Sequence, residues 1–505
     1  MKPSSSMPIR AIFMALTFLV PAASGLLAQT PAGTLTLEEA IGLARRNNPA
    51  FLQQQNDAGL AEWQTREAYG GLLPSSSVSG GVSYQAGGEQ RFGSFSGSDL
   101  GIGVTPAYYF SDYSLGMRYD LSGATLYGVK QARSSERAVD ARISAAAFNL
   151  SAAVTRQYLA VLRAQDGVAL AQQEQDRASE NYTLAEARVS VGAAIPLDEK
   201  QAAVELGRAE VAVLQAQNQL VVERLRLGEQ IGTPIGESVE LVSRFTVGEP
   251  PASKDALLER AMSNHPNLTA FRANEQAARA GVRMAQSNYL PTLSMSAGWS
   301  GYTRAASSDQ FLIDQAEDGL AGAMQQCIAT NAVLTRLTEP LPTRDCSSLV
   351  FTPAMADDIR RENNAFPFDF TSQPFGASLT VSLPLFTGFS RQRQVEQAKV
   401  TASDAQHQRR AEEMRLRTEV ESAYSTLVTA RRSEELEGRN RSLADEQLNL
   451  ARERYRVGAA NFLELKDAET LKARADRDYL TALYSYHEAL AALQAAVGEP
   501  LTTSN

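Results

Sequence analysis

The sequence predicts a mainly α-helical protein with a small β part and a two-fold internal repeat. Each protomer is read as a share of a long α-helical barrel plus four β-strands, completing a 12-stranded transmembrane β-barrel as a trimer. Three observations carry this: a fixed-register repeat, two proline-free stretches of almost seventy residues, and four short segments that alternate with period two.

The repeat comes first because it sets the architecture. Asn48-Pro49 returns as His265-Pro266, Arg66 as Arg283, and Leu73-Pro74 as Leu290-Pro291, each at an offset of 217. Further on the offset is 266. It relates Leu150, Val154, Tyr158 and Val161 to Leu416, Val420, Tyr424 and Leu427, and Gly232 and Pro234 to Gly498 and Pro500. The second copy therefore carries a net insertion of 49 residues, placed between residues 301 and 375.

The expected organisation follows. Residues 1–28 read as a secretory signal: Arg10 precedes an apolar run from Ala11 to Val20, and small residues follow at Ala22, Ala23 and Ala28. A membrane anchor is the alternative, but the run falls short of the roughly 20 residues a helical span needs. Repeat 1 covers 29–250, with a helix over 50–71, a strand pair over 72–84 and 113–123, a long helix over 124–191, a return helix over 196–231 and a connecting segment over 233–253. Repeat 2 covers 251–505, with a helix over 267–288, a strand pair over 290–301 and 376–387, a long helix over 389–457 and a return helix over 462–497. The inserted loop, 302–375, has Gly, Thr, Asn and Pro without a period and is read as irregular.

The long helices are rich in Ala, Glu, Gln, Arg and Leu, and the spacing of Leu150, Val154, Tyr158 and Val161 is a narrow apolar stripe of coiled-coil character. At 1.5 Å per residue each would run about 100 Å, which calls for a coiled coil or helical tube. The four alternating segments include Val78-x-Gly80-x-Val82-x-Tyr84 and Leu379-x-Val381-x-Leu383-x-Leu385. At about ten residues each they suit tilted strands crossing a bilayer, although a half-buried soluble sheet would alternate in the same way. Aromatic flanks (Tyr84, Tyr108, Tyr109, Tyr113, Trp299, Tyr302 and Phe386) favour the membrane. Four strands cannot close a barrel, and open edges are excluded from lipid, so other copies must supply the rest. A trimer gives twelve helical columns and a bore of roughly 25–30 Å; a dimer gives about half that.

A formal charge of −9 argues against a nucleic-acid partner. His265, His407 and His487 lack metal-ligand spacing and read as surface or capping residues, and no nucleophile elbow, phosphate loop or dinucleotide fingerprint occurs. Neither catalysis, a metal nor a cofactor is expected. Cys327 and Cys346 both fall in the insertion; in an exported chain they suggest one disulfide, with two free thiols as the alternative.

With the repeat, the strand pairs, the Leu-Pro openings and the glycine turns in place, the chain resembles the TolC-like outer membrane efflux protein family over about 35–501. The segments Arg188-Val-Ser-Val-Gly192-Ala-Ala-Ile-Pro-Leu-Asp198 and Arg454-Tyr-Arg-Val-Gly458-Ala-Ala-Asn-Phe-Leu-Glu464 look like the family's helix–turn–helix tips. Val381-Ser-Leu-Pro-Leu-Phe-Thr-Gly388 looks like its strand-to-helix exit. The resemblance implies a homotrimer with its β-barrel in outer membrane lipid and its helices in the periplasm of a Gram-negative-type bacterium. Its tips would meet a periplasmic adaptor (membrane fusion) protein and an inner-membrane transporter. It also implies that Asp198 and Tyr455 hold the closed tip together, that Glu464 and Asp467 form an acidic constriction, and that the insertion is an enlarged extracellular loop. Where some members have a basic residue two after the tip glycine, this chain has Ala460, so that latch is either missing or replaced by Arg456.

The residues themselves place Glu464 and Asp467 one turn apart on one helix face, able to form stacked rings in a trimer; the same acids would also suit a helix N-terminal dipole. Arg188, Val191, Gly192, Ala193, Arg454, Val457, Gly458 and Ala459 flank the exposed turns and are candidates for adaptor contact. The arginines could instead complement helix C-terminal dipoles. The leading function is a passive exit duct of a tripartite efflux system. A type I protein secretion duct and a periplasmic coiled-coil scaffold are the alternatives.

Overall fold

The computed structural model describes residues 33–89, 91–96, 104–236, 239–242, 246–250, 252–337, 339 and 341–501. The signal-like residues 1–28 and parts of the 233–253 segment lie outside them. The chain is mainly helical, with a small sheet, and divides into two compact units. Among the described residues, the first comprises those up to 56, those of 143–266 and those from 414 on; the second comprises those of 57–142 and 267–413.

The first unit takes its core from the repeated stripe. In helix α3 (Gly123–Ser190), Val154, Tyr158 and Val161 are fully buried. They pack with Leu227 and Ile231 of α4 (Pro196–Ile231), Leu43 of α1 (Leu37–Asn47) and Tyr484 of α10 (Phe462–Val497). The repeat partners Leu416, Val420 and Leu427 of α9 (Ser390–Arg456) are also fully buried. α1 opens on a capping box in which Thr36 and Glu39 satisfy each other's backbone donors. Just before it, Thr34–Leu35 pairs in parallel with Glu240–Leu241.

The conserved offset between the repeat copies has a physical reason at two junctions. α4 ends on Gly232 at φ +81°, and Asn48, ahead of α2 (Pro49–Gly70), donates to the Gln230 carbonyl at 2.8 Å while accepting from Phe51 N–H. In the second copy α10 ends on Gly498 at φ +91°. There His265, between α5 (Lys254–Asn264) and α6 (Pro266–Ser287), bonds through Nε2 to the Ala495 carbonyl at 3.1 Å. His265 is thus a buried cap. His487, by contrast with the surface or capping role expected, is buried against the Tyr484 and Tyr486 rings, and burial pushes its pKa down to about 4.

The second unit is built on an antiparallel sheet in the order β1 (Ser75–Gln85), β2 (Tyr108–Leu121), β3 (Thr292–Ala306) and β4 (Gly376–Ser382). Residues directly opposite in such a ladder share a face. One face therefore carries Val78–Leu115–Trp299, Met117–Ala297–Ala377, Tyr119–Met295–Leu379 and Leu121–Leu293–Val381. The other carries Ser79–Ser114–Ser300 and Arg118–Ser296–Ser378, with Ser79 bonded to Ser114 and Ser296 to Ser378 at 2.7 Å. β4 stops at Ser382, short of the expected Leu383 and Leu385, because Pro384 cannot donate to the ladder. The exit into α9 turns through Gly388 and Phe389, both at positive φ, and is held by Arg391, which lies over the Tyr289 ring and donates to Thr387 and the Leu385 carbonyl.

The 302–375 segment is not irregular, and it starts later than expected because β3 runs on to Ala306. It contains α7 (Asp309–Leu334) and α8 (Pro353–Asn363), capped by Ser308 and by Thr352 ahead of a proline at the first helical position. These local caps, with the Ala, Gln, Met and Leu content of α7, outweigh the missing period. Cys327 and Cys346 are bonded, with Cα atoms 6.0 Å apart. Asn331 clamps the backbone N–H and carbonyl of Arg344, and Asn363 clamps those of Ala306.

Candidate functional site

Both long helices end in the same way. Gly192 and Gly458 sit at φ +73° and +78°, where an L side chain is strained. Ala193 N–H bonds back to Arg188 O and Ala459 N–H to Arg454 O, each at 2.8 Å, which is the six-residue closure of a Schellman turn. The return helices start differently. α4 begins with Pro196 and no side-chain cap, whereas Asn461 caps α10 by accepting from Glu464 N–H at 2.9 Å.

Behind the turns lies a small core in which Tyr455, Phe462 and Leu465 pack with Ala185, Ala202 and Ala451. The Arg188 guanidinium stacks 4.3 Å above the Tyr455 ring and donates to the Tyr455 carbonyl at 2.6 Å. Arg188 is therefore turned inward onto the candidate gate residue, joining the α3 turn to the α9 turn. Burial raises the Tyr455 pKa, with Arg188 opposing and Asp198 reinforcing the shift. The Tyr455 hydroxyl is buried and has no hydrogen-bond partner among the described residues, so Asp198 is close enough to be felt but is not bonded to it. Glu464 pairs with Arg454 at 2.6 Å, Asp467 stands exposed a turn later, and Arg456 is turned back onto Glu453.

These contacts separate ring from hydroxyl. Tyr455→Phe is expected to leave the chemical-denaturation midpoint unchanged or slightly raised, since it removes only an unpartnered buried hydroxyl. Arg188→Ala is expected to cost about 1–3 kcal/mol, from a lost cation–π contact and a charged hydrogen bond. Equal losses in both variants would contradict this division.

Two features escape sequence reading. Exposed apolar side chains follow the turns, Ile195 and Leu197 after Gly192 and Leu463 after Gly458, beside the expected and likewise exposed Val191 and Val457. Apolar residues at the first positions of a capped helix were the available signal. The second feature is a polar seam joining the two hairpins. Asn181 of α3 donates to Glu469 of α10, Lys466 pairs with Glu205 at 2.8 Å, and Arg477 pairs with Glu174 at 3.3 Å. Burial raises the carboxyl pKa of both Glu469 and Glu174. These partners lie far apart in sequence, and no spacing pattern marks them.

The profile of the family described as outer membrane efflux protein matches residues 40–233 and 353–499. The outer membrane protein TolC of Vibrio cholerae is 26% identical over 169 residues, 33% of this chain and 39% of that protein. The cobalt-zinc-cadmium resistance protein CzcC of Cupriavidus metallidurans is 27% identical over 179 residues, 35% of this chain and 43% of that protein. The chain thus spans about two fifths of the length of these curated relatives. The crystal structure of the Campylobacter jejuni CmeC outer membrane channel shares the fold, with a TM-score of 0.68 at 14% identity over 98% of this chain and 94% of that one.

Proposed function

Because the chain belongs to the outer membrane efflux protein family, we propose that it is the outer membrane exit duct of a tripartite efflux system, a homotrimer that passively exports small molecules. The observation that carries this reading is the sheet of the second unit. Its apolar face is exposed in the protomer, at Val78, Leu115, Met295, Trp299, Leu379 and Val381. The outer edges of β1 and β4 have no strand partner among the described residues. Open edges and an uncovered apolar face are both satisfied when three copies close twelve strands within lipid. In the first unit the exposed Val204, Val211 and Leu225 of α4, and Leu436, Leu443 and Leu450 of α9, recur at multiples of seven. Two such seams suit helix pairing between neighbouring copies.

In this assembly the Gly192 and Gly458 turns, with Ala193 and Ala459 and the apolar Val191, Ile195, Leu197, Val457 and Leu463, face a periplasmic adaptor fed by an inner-membrane transporter. Asp198, Glu464 and Asp467 line the periplasmic constriction, with the buried Tyr455 ring packed behind them. Arg188 and Arg454 serve it from behind, through Tyr455 and Glu464.

Native mass spectrometry in detergent and planar-bilayer conductance test this. The expected result is three copies forming a cation-preferring pore. Asp467→Asn lowers that preference, and Arg454→Gln raises it by unmasking Glu464. A monomer that stays soluble without detergent, or two variants that shift selectivity the same way, would sink respectively the channel and the constriction.

A further inference from the structure

Residues 366–370 of the insertion's return segment lie over the apolar face of the sheet. Thr371–Ser372 then join the edge of β3 opposite Tyr302 and Gly301, and Gln373 N–H bonds to the Ser300 carbonyl at 2.8 Å. Two aromatic pairs fix the position over the face: Phe366 lies 5.6 Å from Tyr109 and Phe370 4.9 Å from Tyr113, ring centre to ring centre. Phe375, between Ser372 and β4 along the edge of β3, neighbours Trp299 at 4.8 Å. Tyr113 shares a face with Gly80 and Gly301, Trp299 with Leu115 and Val78, and Tyr109 with Tyr84 and Ala305; all three aromatics project with the apolar set. Polar residues on the same face include Ser111 and Thr303. Both are almost fully buried, bonded to each other at 2.7 Å, and Ser111 also donates to the Pro367 carbonyl at 2.7 Å. Left bare in hydrocarbon, two hydroxyls would each carry a desolvation cost. The return segment removes it by covering them.

Phe368, within this segment, is 82% exposed, and Phe375 is half exposed. In water these rings have nothing to offset their exposure; at an acyl chain–headgroup boundary they do, since aromatic rings concentrate at that level of a transmembrane barrel. The segment lies toward the end of the sheet where β1 and β3 finish, away from the junctions with α3 and α9. We infer that residues 366–370 form an external collar that rests on the lipid of the outer leaflet, seating the disulfide-closed insertion against the membrane from outside the barrel. The ligand is the bilayer itself, recognised by aromatic rings on an otherwise apolar wall. This rests on the channel reading above.

Tryptophan fluorescence in phosphatidylcholine vesicles with brominated acyl chains tests it. With Trp63→Phe and Trp299→Phe in place, single probes are introduced as Phe368→Trp, Leu379→Trp or Ser296→Trp. The probe at 368 is expected to be quenched more by bromine near the headgroup than by bromine near the chain end. The probe at 379 should be quenched by both, and the probe at 296 by aqueous iodide only. Quenching at 379 with none at 368 would overturn the collar and leave the channel standing. No lipid quenching at either position would overturn both. Because Phe368 is exposed, its replacement is not expected to disturb folding. Unquenched native Trp299, read after Trp63→Phe alone, would count against the apolar face as lipid-facing without any change to the sheet.

Discussion

Gly232→Ala is expected to lower thermal stability steeply and to reduce the yield of folded protein. Gly232 closes α4 at φ +81°, with its N–H bonded to the Gly228 carbonyl. An alanine there would hold a left-handed conformation, costing about 1–2 kcal/mol. Its Cβ would also fall 2.3 Å from the Asn47 carbonyl oxygen and 2.8 Å from the Asn48 Cα, both backbone atoms that cannot swing aside. Shifting that junction adds an overpacking cost of about 1–3 kcal/mol, for a total of about 2–5 kcal/mol. The displaced atoms belong to the residues that cap the end of α4 and the start of α2, so the Asn48–Gln230 bond is strained in the same step. Gly281→Ala provides the contrast. It lies inside α6, its added Cβ meets nothing within 4 Å, and a gain of up to about 1 kcal/mol is expected from helix propensity alone. Melting followed by circular dichroism decides it: similar shifts in the two variants would show that the junction is not under this constraint.

That junction also shows what could be read from sequence and what could not. Asn48-Pro49, His265-Pro266, Gly232 and Gly498 stood out because a duplicated unit must satisfy the same helix ends twice, and repetition exposes positions where few residues fit. The long helices were legible because nothing in them breaks α-helix geometry, and the sheet faces because period-two alternation reports which side chains share a face. The insertion was misread because it occurs once. Ser308 and Thr352-Pro353 were available as helix starts, but α7 lacks the apolar stripe that a core imposes and α8 is only 11 residues long. The candidate tip was legible only in part. Gly192 and Gly458 follow from local chain geometry, whereas the stacking of Arg188 on Tyr455 joins residues on different helices and leaves no spacing to find. Glu464 read as a bare acid until Arg454 was placed beside it.

Asp476→Ala is expected to be as damaging as the glycine change, for an electrostatic reason. The Asp476 and Lys472 side chains, one turn apart on α10, are 4% and 8% exposed, and their charged groups lie 2.5 Å apart. Arg441 of α9 reaches the same carboxylate at 2.9 Å and Arg177 of α3 at 3.5 Å, so one acid gathers cations from three helices. Burial alone would push the Asp476 carboxyl up, but hydrogen bonds from Lys472 and Arg441, and their charges, outweigh it and hold the group below the usual carboxylate range. Removing the carboxylate leaves buried Lys472 with only the more distant Asp445, at 3.6 Å, and breaking a buried pair from one side costs about 3–5 kcal/mol, here toward the lower end. Asp476→Asn keeps the shape and one acceptor and should fall between the parent and the alanine variant. Its pH dependence separates charge from packing. A depressed carboxyl contributes stability that is complete above its unfolded pKa and is lost as pH falls through the folded one, so the gap between parent and Asp476→Asn should hold constant from neutral pH down to mild acid and close only in strong acid. A gap that closed already near neutral pH would assign the effect to another group. A Lys472→Met, Asp476→Leu double variant recovering most of the loss would show that the stranded charge, not the missing contact, is what unfolds the seam between the hairpins.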